Sequence, residues 1–308
     1  MSKLKRFTII SLISLVVGFI ILEITLRMVW GFGTMILYYE DPGFEYIEIP
    51  NQDVTRFGNR SIYNEYSMRS LPLNNSDSCI VLGFGDSVFN GGVLTDQDSL
   101  ASTIVETTLR GQSGKGFRFL NVSAGSWAPD NCAAYLEKFG DFRAKMIVLF
   151  VSSHDAHDNM DHTKIVGVHQ SYPDKQYTLA TEEVLVRYII PRIIPSNAPP
   201  ADNLMINKNG VGFNPGFEAF AKYIQQTGTP FLICLHAEQE EVKQNAFNEQ
   251  GQEILKFCAD NQIKVVSGLE IGEQLTDFRD GIHINERGQR RWGNALQKEI
   301  AETLKSCL

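Results

Sequence analysis

Apolar and polar positions divide the chain into three stretches of different character. The first thirty residues carry Lys3, Lys5 and Arg6 ahead of an uncharged, mostly apolar run from Phe7 to Leu22. At 1.5 Å per residue those residues span roughly 24 Å, and Ile24, Leu26, Met28 and Val29 extend the pattern to Trp30, enough for a helix across a ~30 Å hydrocarbon core. Glu23 and Arg27, four apart, are placed to pair at the outer interface. From Gly31 to Ser76 the pattern breaks into short alternating pieces with turn signals at Asp41-Pro42-Gly43 and Pro50-Asn51, expected of a stalk packing extended segments on a domain. Beyond it, five short apolar runs, Cys79 to Gly83, Phe117 to Val122, Met146 to Val151, Phe231 to Leu235 and Ile263 to Val266, predict buried strands.

Between and after those runs, apolar residues at three and four spacing predict helices over Leu100 to Leu109, Asn131 to Phe139, Gly216 to Gln226, Gln244 to Ala259 and Glu286 to Lys305. Alternating strands and helices imply an α/β fold of three layers, α/β/α, around a mostly parallel five-stranded sheet. The expected organisation is an anchor helix over 1–30, a stalk over 31–76 and one domain over 77–308. Ala156 to Asn214 interrupts the alternation with 59 residues rich in His, Pro and Asn and without an evident long helix, a length suited to shaping or covering a site.

Charge and cysteine content narrow the possibilities. The net charge of −8, with no basic run beyond the N-terminus, excludes a nucleic-acid partner, since phosphate binding needs clustered cations. The basic cluster before the apolar helix places the N-terminus in the cytoplasm and the rest outside the membrane, periplasmic or extracellular. No small-residue cleavage site follows the run, so an uncleaved signal anchor is expected. Cys79, Cys132, Cys234, Cys258 and Cys307 lack metal-ligand spacing and read as buried free thiols, with one disulfide as the alternative.

Candidate chemistry lies at two strand ends. Ile80 to Gly85 runs into Asp86-Ser87, which puts a serine directly after a buried strand in a glycine-bearing turn. A serine hydroxyl needs a neighbouring base. Near the C-terminus Asp280-Gly281-Ile282-His283 provides one: three residues apart, carboxylate and imidazole can face each other across a tight turn, Asp280 fixing the tautomer while His283 takes the serine proton. Gly83-x-Gly85 lacks the third glycine of a dinucleotide fingerprint, Val88 standing in its place, and no cofactor is expected.

Together the Gly-Asp-Ser and Asp-x-x-His motifs resemble the GDSL/SGNH hydrolase family, over roughly Ser78 to Leu308. The resemblance implies an SGNH or flavodoxin-like sheet, Ser87, His283 and Asp280 as a catalytic triad, and an oxyanion hole made by the backbone of Ser87 and of Gly125 after the second strand. The family's Gly-x-Asn-Asp after the third strand is replaced here by Ser152-Ser153-His154-Asp155, so His154 stands where an asparagine donor is expected; an imidazole N–H can also donate. The neighbouring His157, Asp158, His162 and His169 are irregularly spaced, and no metal is expected. His236 reads as a strand-end residue beside the site. Tyr172, Tyr177 and Tyr188 are candidates for stacking on sugar rings or for a small core of the insertion.

By analogy with anchored members, the resemblance implies a serine esterase acting on acyl, above all acetyl, esters of extracytoplasmic glycans. An O-acetyltransferase of surface polysaccharide, supplied by a membrane acetyl-donor protein, would use the same triad. A non-catalytic glycan-binding or assembly subunit is the alternative outside enzymology.

Overall fold

The computed structural model describes residues 3–113, 116–193, 212–305 and 307. Helix α1 (Lys3–Trp30) buries none of its residues. It is long and apolar enough to cross a membrane. Glu23 and Arg27 pair on it as expected, Nε to Oε1 at 2.7 Å.

The stretch after α1 makes two antiparallel hairpins, β1 (Tyr38–Asp41) with β2 (Glu45–Glu48) and β3 (Gln52–Arg56) with β4 (Asn59–Tyr63). The hairpins do more than connect: Phe44, Tyr46 and Ile47 are buried in the main core beside Trp127 and Tyr135.

The sheet consists of β5 (Cys79–Gly85), β6 (Phe117–Ser123), β7 (Met146–Ser152), β8 (Phe231–His236) and β9 (Lys264–Ser267). All its pairings are parallel, in the order β6-β5-β7-β8-β9. This is the flavodoxin-like order 2-1-3-4-5, whose switch point lies between the first and third strands. Every residue of β5, β6 and β7 is buried, as befits strands covered on both faces. Alternate residues divide between two cores. Ile80, Leu82, Phe84, Leu120, Val122, Ile147 and Leu149 pack with the hairpins. Cys79, Val81, Phe117, Phe119, Met146 and Val148 pack with Trp292 and Leu296.

The short α2 (Ser87–Asn90) follows β5, and α3 (Ala101–Ser113) and α4 (Pro129–Phe139) come next. Two expectations are corrected beyond β7. The insertion does hold a helix, continuous over 180–193, as α5 (Ala180–Val184), a π turn (Leu185–Ile189) and α6 (Ile190–Ile193). Its apolar side faces outward and Pro191 lies near its end, so no core-facing period announced it. The rest of the insertion up to 211 lies outside the described residues. Second, after α7 (Pro215–Thr227), the helix expected from Gln244 to Ala259 is two helices, α8 (Gln239–Gln244) and α9 (Glu249–Asp260). Asn245 turns left-handed at φ 51° and Asn248 caps α9 through Gly251 N–H, so two asparagines end one helix and start the next.

The last helix, α10 (Glu286–Thr303), packs on α3. Cys79 and Cys307 form a disulfide, which corrects the reading of Cys79 as a free thiol; Cys132, Cys234 and Cys258 are buried and free.

Candidate active site

Ser87 opens α2 at the carboxyl end of β5, beside the switch point. The turn is tight because Gly85 has no side chain: a Cβ there would stand 2.7 Å from Cβ of Phe89 and 3.1 Å from the carbonyl of Phe150. The Asp86 side chain caps α2, accepting from Val88 N–H at 2.8 Å. Asn90 at its other end donates to Ser123 O at 2.8 Å and accepts from the Tyr63 hydroxyl at 3.2 Å, which ties the turn to β6 and to the second hairpin. From α10, Gln289 donates to Val88 O at 2.9 Å.

The loop carrying Asp280 and His283 closes on itself. Arg279 N–H donates to His283 O at 2.9 Å, and a bridge joins Phe278 to Ile284. Within it Asp280 Oδ1 accepts from the backbone of Ile282 at 3.0 Å and of His283 at 2.7 Å, while its carboxylate lies 2.9 Å from His283 Nδ1. His283 Nε2 lies 2.9 Å from Ser87 Oγ. The three residues therefore form one continuous hydrogen-bonded line. Partial burial works to raise the Asp280 pKa, but the two backbone donors and the imidazole hold it below the ordinary carboxylate range. The line is open to water: the side chains of His283 and Asp280 are 29% and 51% exposed.

Two further groups stand after the strands that flank β5 in the sheet. Gly125 lies in the loop after β6, whose carbonyls at Gly125 and Ser126 accept from the Tyr46 hydroxyl at 2.9 and 3.3 Å. Among the described residues, no acceptor takes the N–H of Gly125 or of Ser87. His154 follows β7 in a short 3-10 turn, and its Nδ1 lies 3.1 Å from Glu238 Oε1. Its Nε2 is 4.0 Å from both Asp155 Oδ1 and Asp158 Oδ2. Burial alone would lower the His154 pKa, but Asp155, the Glu238 hydrogen bond, Asp86 and Asp158 raise it to about 10. At that pKa the ring is charged at neutral pH, and an imidazolium is a stronger hydrogen-bond donor than a neutral amide.

Ligand-type atoms of Asp86, His154 and Asp155 come within 4.8 Å of one another. Of the other histidines of the insertion, His157 pairs with Glu253 at 2.7 Å, and His169 packs at a tilt on Tyr172. Nor does Tyr172 serve as a sugar platform. It is buried, packs on Tyr38 and Tyr46, and donates to Ser126 Oγ at 3.0 Å. Tyr188 packs edge-on against Phe32.

Support for the loop comes from residues that the motifs did not mark. His236 ends β8, fully buried; its Nε2 lies 2.7 Å from Ile282 O and its Nδ1 2.7 Å from Glu273 Oε1. Glu273 also accepts from Trp292 Nε1 at 2.6 Å and Ala237 N–H at 2.9 Å. Arg279 donates to Thr95 Oγ1 at 3.1 Å and Gly91 O at 3.2 Å, joining the loop of His283 to the turn of Ser87. Only His236 carried a signal, its place at the end of an apolar run.

No family model matches the chain, and no curated protein does. Among solved structures it is similar to a lipase/acylhydrolase from Enterococcus faecalis, at 12% identity and TM-score 0.44 over 73% of this chain and 96% of that one. It is also similar to an acetyl xylan esterase, at 14% identity and TM-score 0.42 over 71% and 98% of the two chains. A carbohydrate acetylesterase from Sinorhizobium meliloti shows 13% identity and TM-score 0.41 over 73% and 99%. At such distances the function is read from this chain's own residues.

Proposed function

We propose that this chain is a membrane-anchored serine esterase that cleaves acyl esters, acetyl above all, of glycans outside the cytoplasm. The observation that carries the reading is the hydrogen-bonded line Asp280, His283, Ser87, with 2.9 Å between Ser87 Oγ and His283 Nε2. In the proposed reaction Ser87 Oγ attacks the ester carbonyl as its proton passes to His283 Nε2, and Asp280 stabilises the imidazolium. The oxyanion takes hydrogen bonds from the N–H groups of Ser87 and Gly125 and from His154. His283 returns the proton to the leaving alkoxide, freeing the alcohol. Water, deprotonated by His283, then attacks the acyl-enzyme and releases the acid.

Anchoring is proposed through the uncleaved α1, with the N-terminus cytoplasmic, 31–76 as stalk and 77–308 as catalytic domain. The basic residues before the apolar run and the Cys79–Cys307 disulfide, a bond suited to oxidising compartments, support that orientation. The glycan rests on analogy with the acetylesterases above. If a sugar hydroxyl rather than water resolves the acyl-enzyme, the same residues perform O-acetyl transfer, with the acetyl group delivered by a membrane partner. Full-length protein incubated with acetylated glycan distinguishes these: acetate release without any acceptor supports the esterase, and acetylation that requires a donor protein overturns it. An aligned triad supports turnover over a purely binding role.

A further inference from the structure

The helix over 180–193 shows an unusual surface. Leu185, Val186, Ile189, Ile190 and Ile193 recur at spacings of one and four along it and are 48%, 45%, 38%, 44% and 71% exposed. Five large aliphatic side chains on one side of a helix are costly in water, at roughly 25 cal/mol per Å² of apolar surface. Its other side is fixed. Glu183, fully buried, pairs with Arg56 at 2.6 Å and accepts from Gly33 N–H at 2.6 Å. Tyr188 packs on Phe32, and Arg187 donates to Met35 Sδ at 2.9 Å. The apolar side is therefore presented outward by a rigid mount.

What lies against that side follows from where the helix begins. Its first turn is capped by a residue of α1: Glu23 accepts from Ala180 N–H at 2.7 Å and from Thr181 N–H and Oγ1 at 3.0 Å. Arg27 completes the joint, donating to Thr178 O at 2.8 Å. Glu23 is the first charged residue after the uncharged run from Phe7 to Leu22, so it marks the level at which the apolar slab of α1 ends. The helix over 180–193 starts at that level, joined to α1 at Glu23 and Arg27, and its aliphatic face is exposed as the apolar residues of α1 are.

We infer that the helix over 180–193 is an interfacial membrane helix, its face of Leu185, Val186, Ile189, Ile190 and Ile193 resting in the headgroup and upper acyl region of the bilayer beside α1. This rests on reading α1 as the anchor. The hydrophobic face and its polar, domain-bound reverse are the arrangement of helices that lie in the membrane plane. The consequence is functional: a single anchor would let the domain swivel, whereas two contacts hold it at one tilt and height above the lipid.

The test uses full-length protein in phosphatidylcholine vesicles, with a fluorescent nitrobenzoxadiazole label on Ile190→Cys, on Lys222→Cys at an exposed site of α7, and on Ile13→Cys within α1. The unsubstituted chain gives the background of its own thiols. A lipid carrying a nitroxide near the headgroup should quench the label at Ile190→Cys at least about threefold more than at Lys222→Cys, and aqueous iodide correspondingly less. Equal iodide quenching at the two sites would overturn the inference; if Ile13→Cys is then lipid-quenched, the anchor stands without the second contact, and if it is not, the anchor reading fails as well. Shielding of Ile190→Cys in native membranes but not in lipid vesicles would assign the face to a protein partner and equally overturn it.

Discussion

His236 holds the carbonyl of Ile282, one residue before His283, at 2.7 Å from its buried Nε2. Its other nitrogen faces Glu273, and although burial opposes the charge, Glu273 and the Ile282 carbonyl raise the His236 pKa. An acceptor at each nitrogen favours the imidazolium, and the pair clamps the loop that carries His283. Removing one partner of a buried ion pair costs about 3–5 kcal/mol because the other charge is left unpaired. His236→Ala should therefore lower the unfolding free energy measured by denaturant titration by that amount. Since His236 lies behind the loop, kcat for 4-nitrophenyl acetate should fall on the order of 10²-fold with KM little changed. Full activity in a destabilised variant would reduce the clamp to a packing role.

Asp280→Asn tests the orientation of the imidazole. Asparagine keeps the size of the side chain but can present an N–H to His283 Nδ1 and favour the wrong tautomer, which in a Ser-His-Asp triad costs about 10⁴ in kcat. Binding should change little, because Asp280 faces away from Ser87 across the ring. A loss below tenfold would show that the backbone of the loop alone orients His283.

His154 should act as a charged oxyanion donor. His154→Ala should lower kcat by about 10²–10³-fold, and His154→Asn should recover most of it. An unchanged rate in His154→Ala would leave the oxyanion to the N–H groups of Ser87 and Gly125.

Glu48 predicts a pH-dependent stability. It is fully buried on β2, with Oε2 unpartnered among the described residues, and burial raises its pKa to about 7 despite Arg69 and the hydroxyls of Tyr63 and Tyr38. A carboxyl whose folded pKa is raised contributes stability that is fully present below its unfolded value, 4.5, and lost as pH rises through about 7. The shift corresponds to about 3 kcal/mol. Unfolding free energy should therefore decline between pH 5 and about 8 more steeply in the native chain than in Glu48→Gln. Parallel pH profiles for the two proteins would contradict this.

What was legible in the sequence is what is encoded locally. Each buried strand shows as its own apolar run, and the motifs at Ser87 and at Asp280 and His283 are short enough to read directly, although 196 residues separate the hydroxyl from the imidazole that meets it. Relationships made only by the fold left no local trace. His236 and Glu273 are 37 residues apart, and Cys79 meets Cys307 across 228. The helix over 180–193 left no readable sign for the opposite reason: the periodicity is present, but its apolar side does not face the core, and Pro191 lies within its last turn. At Asn245 a left-handed turn divided what apolar spacing alone joins.

The most direct test of the central claim is whether Ser87 becomes acylated. Full-length protein mixed with 4-nitrophenyl acetate should release a burst of 4-nitrophenol equal to the enzyme present and carry one acetyl group on the peptide containing Ser87, with neither seen in Ser87→Ala. A folded protein that shows no burst and no modified Ser87, or a Ser87→Ala variant that turns over as fast as the native chain, would contradict the account.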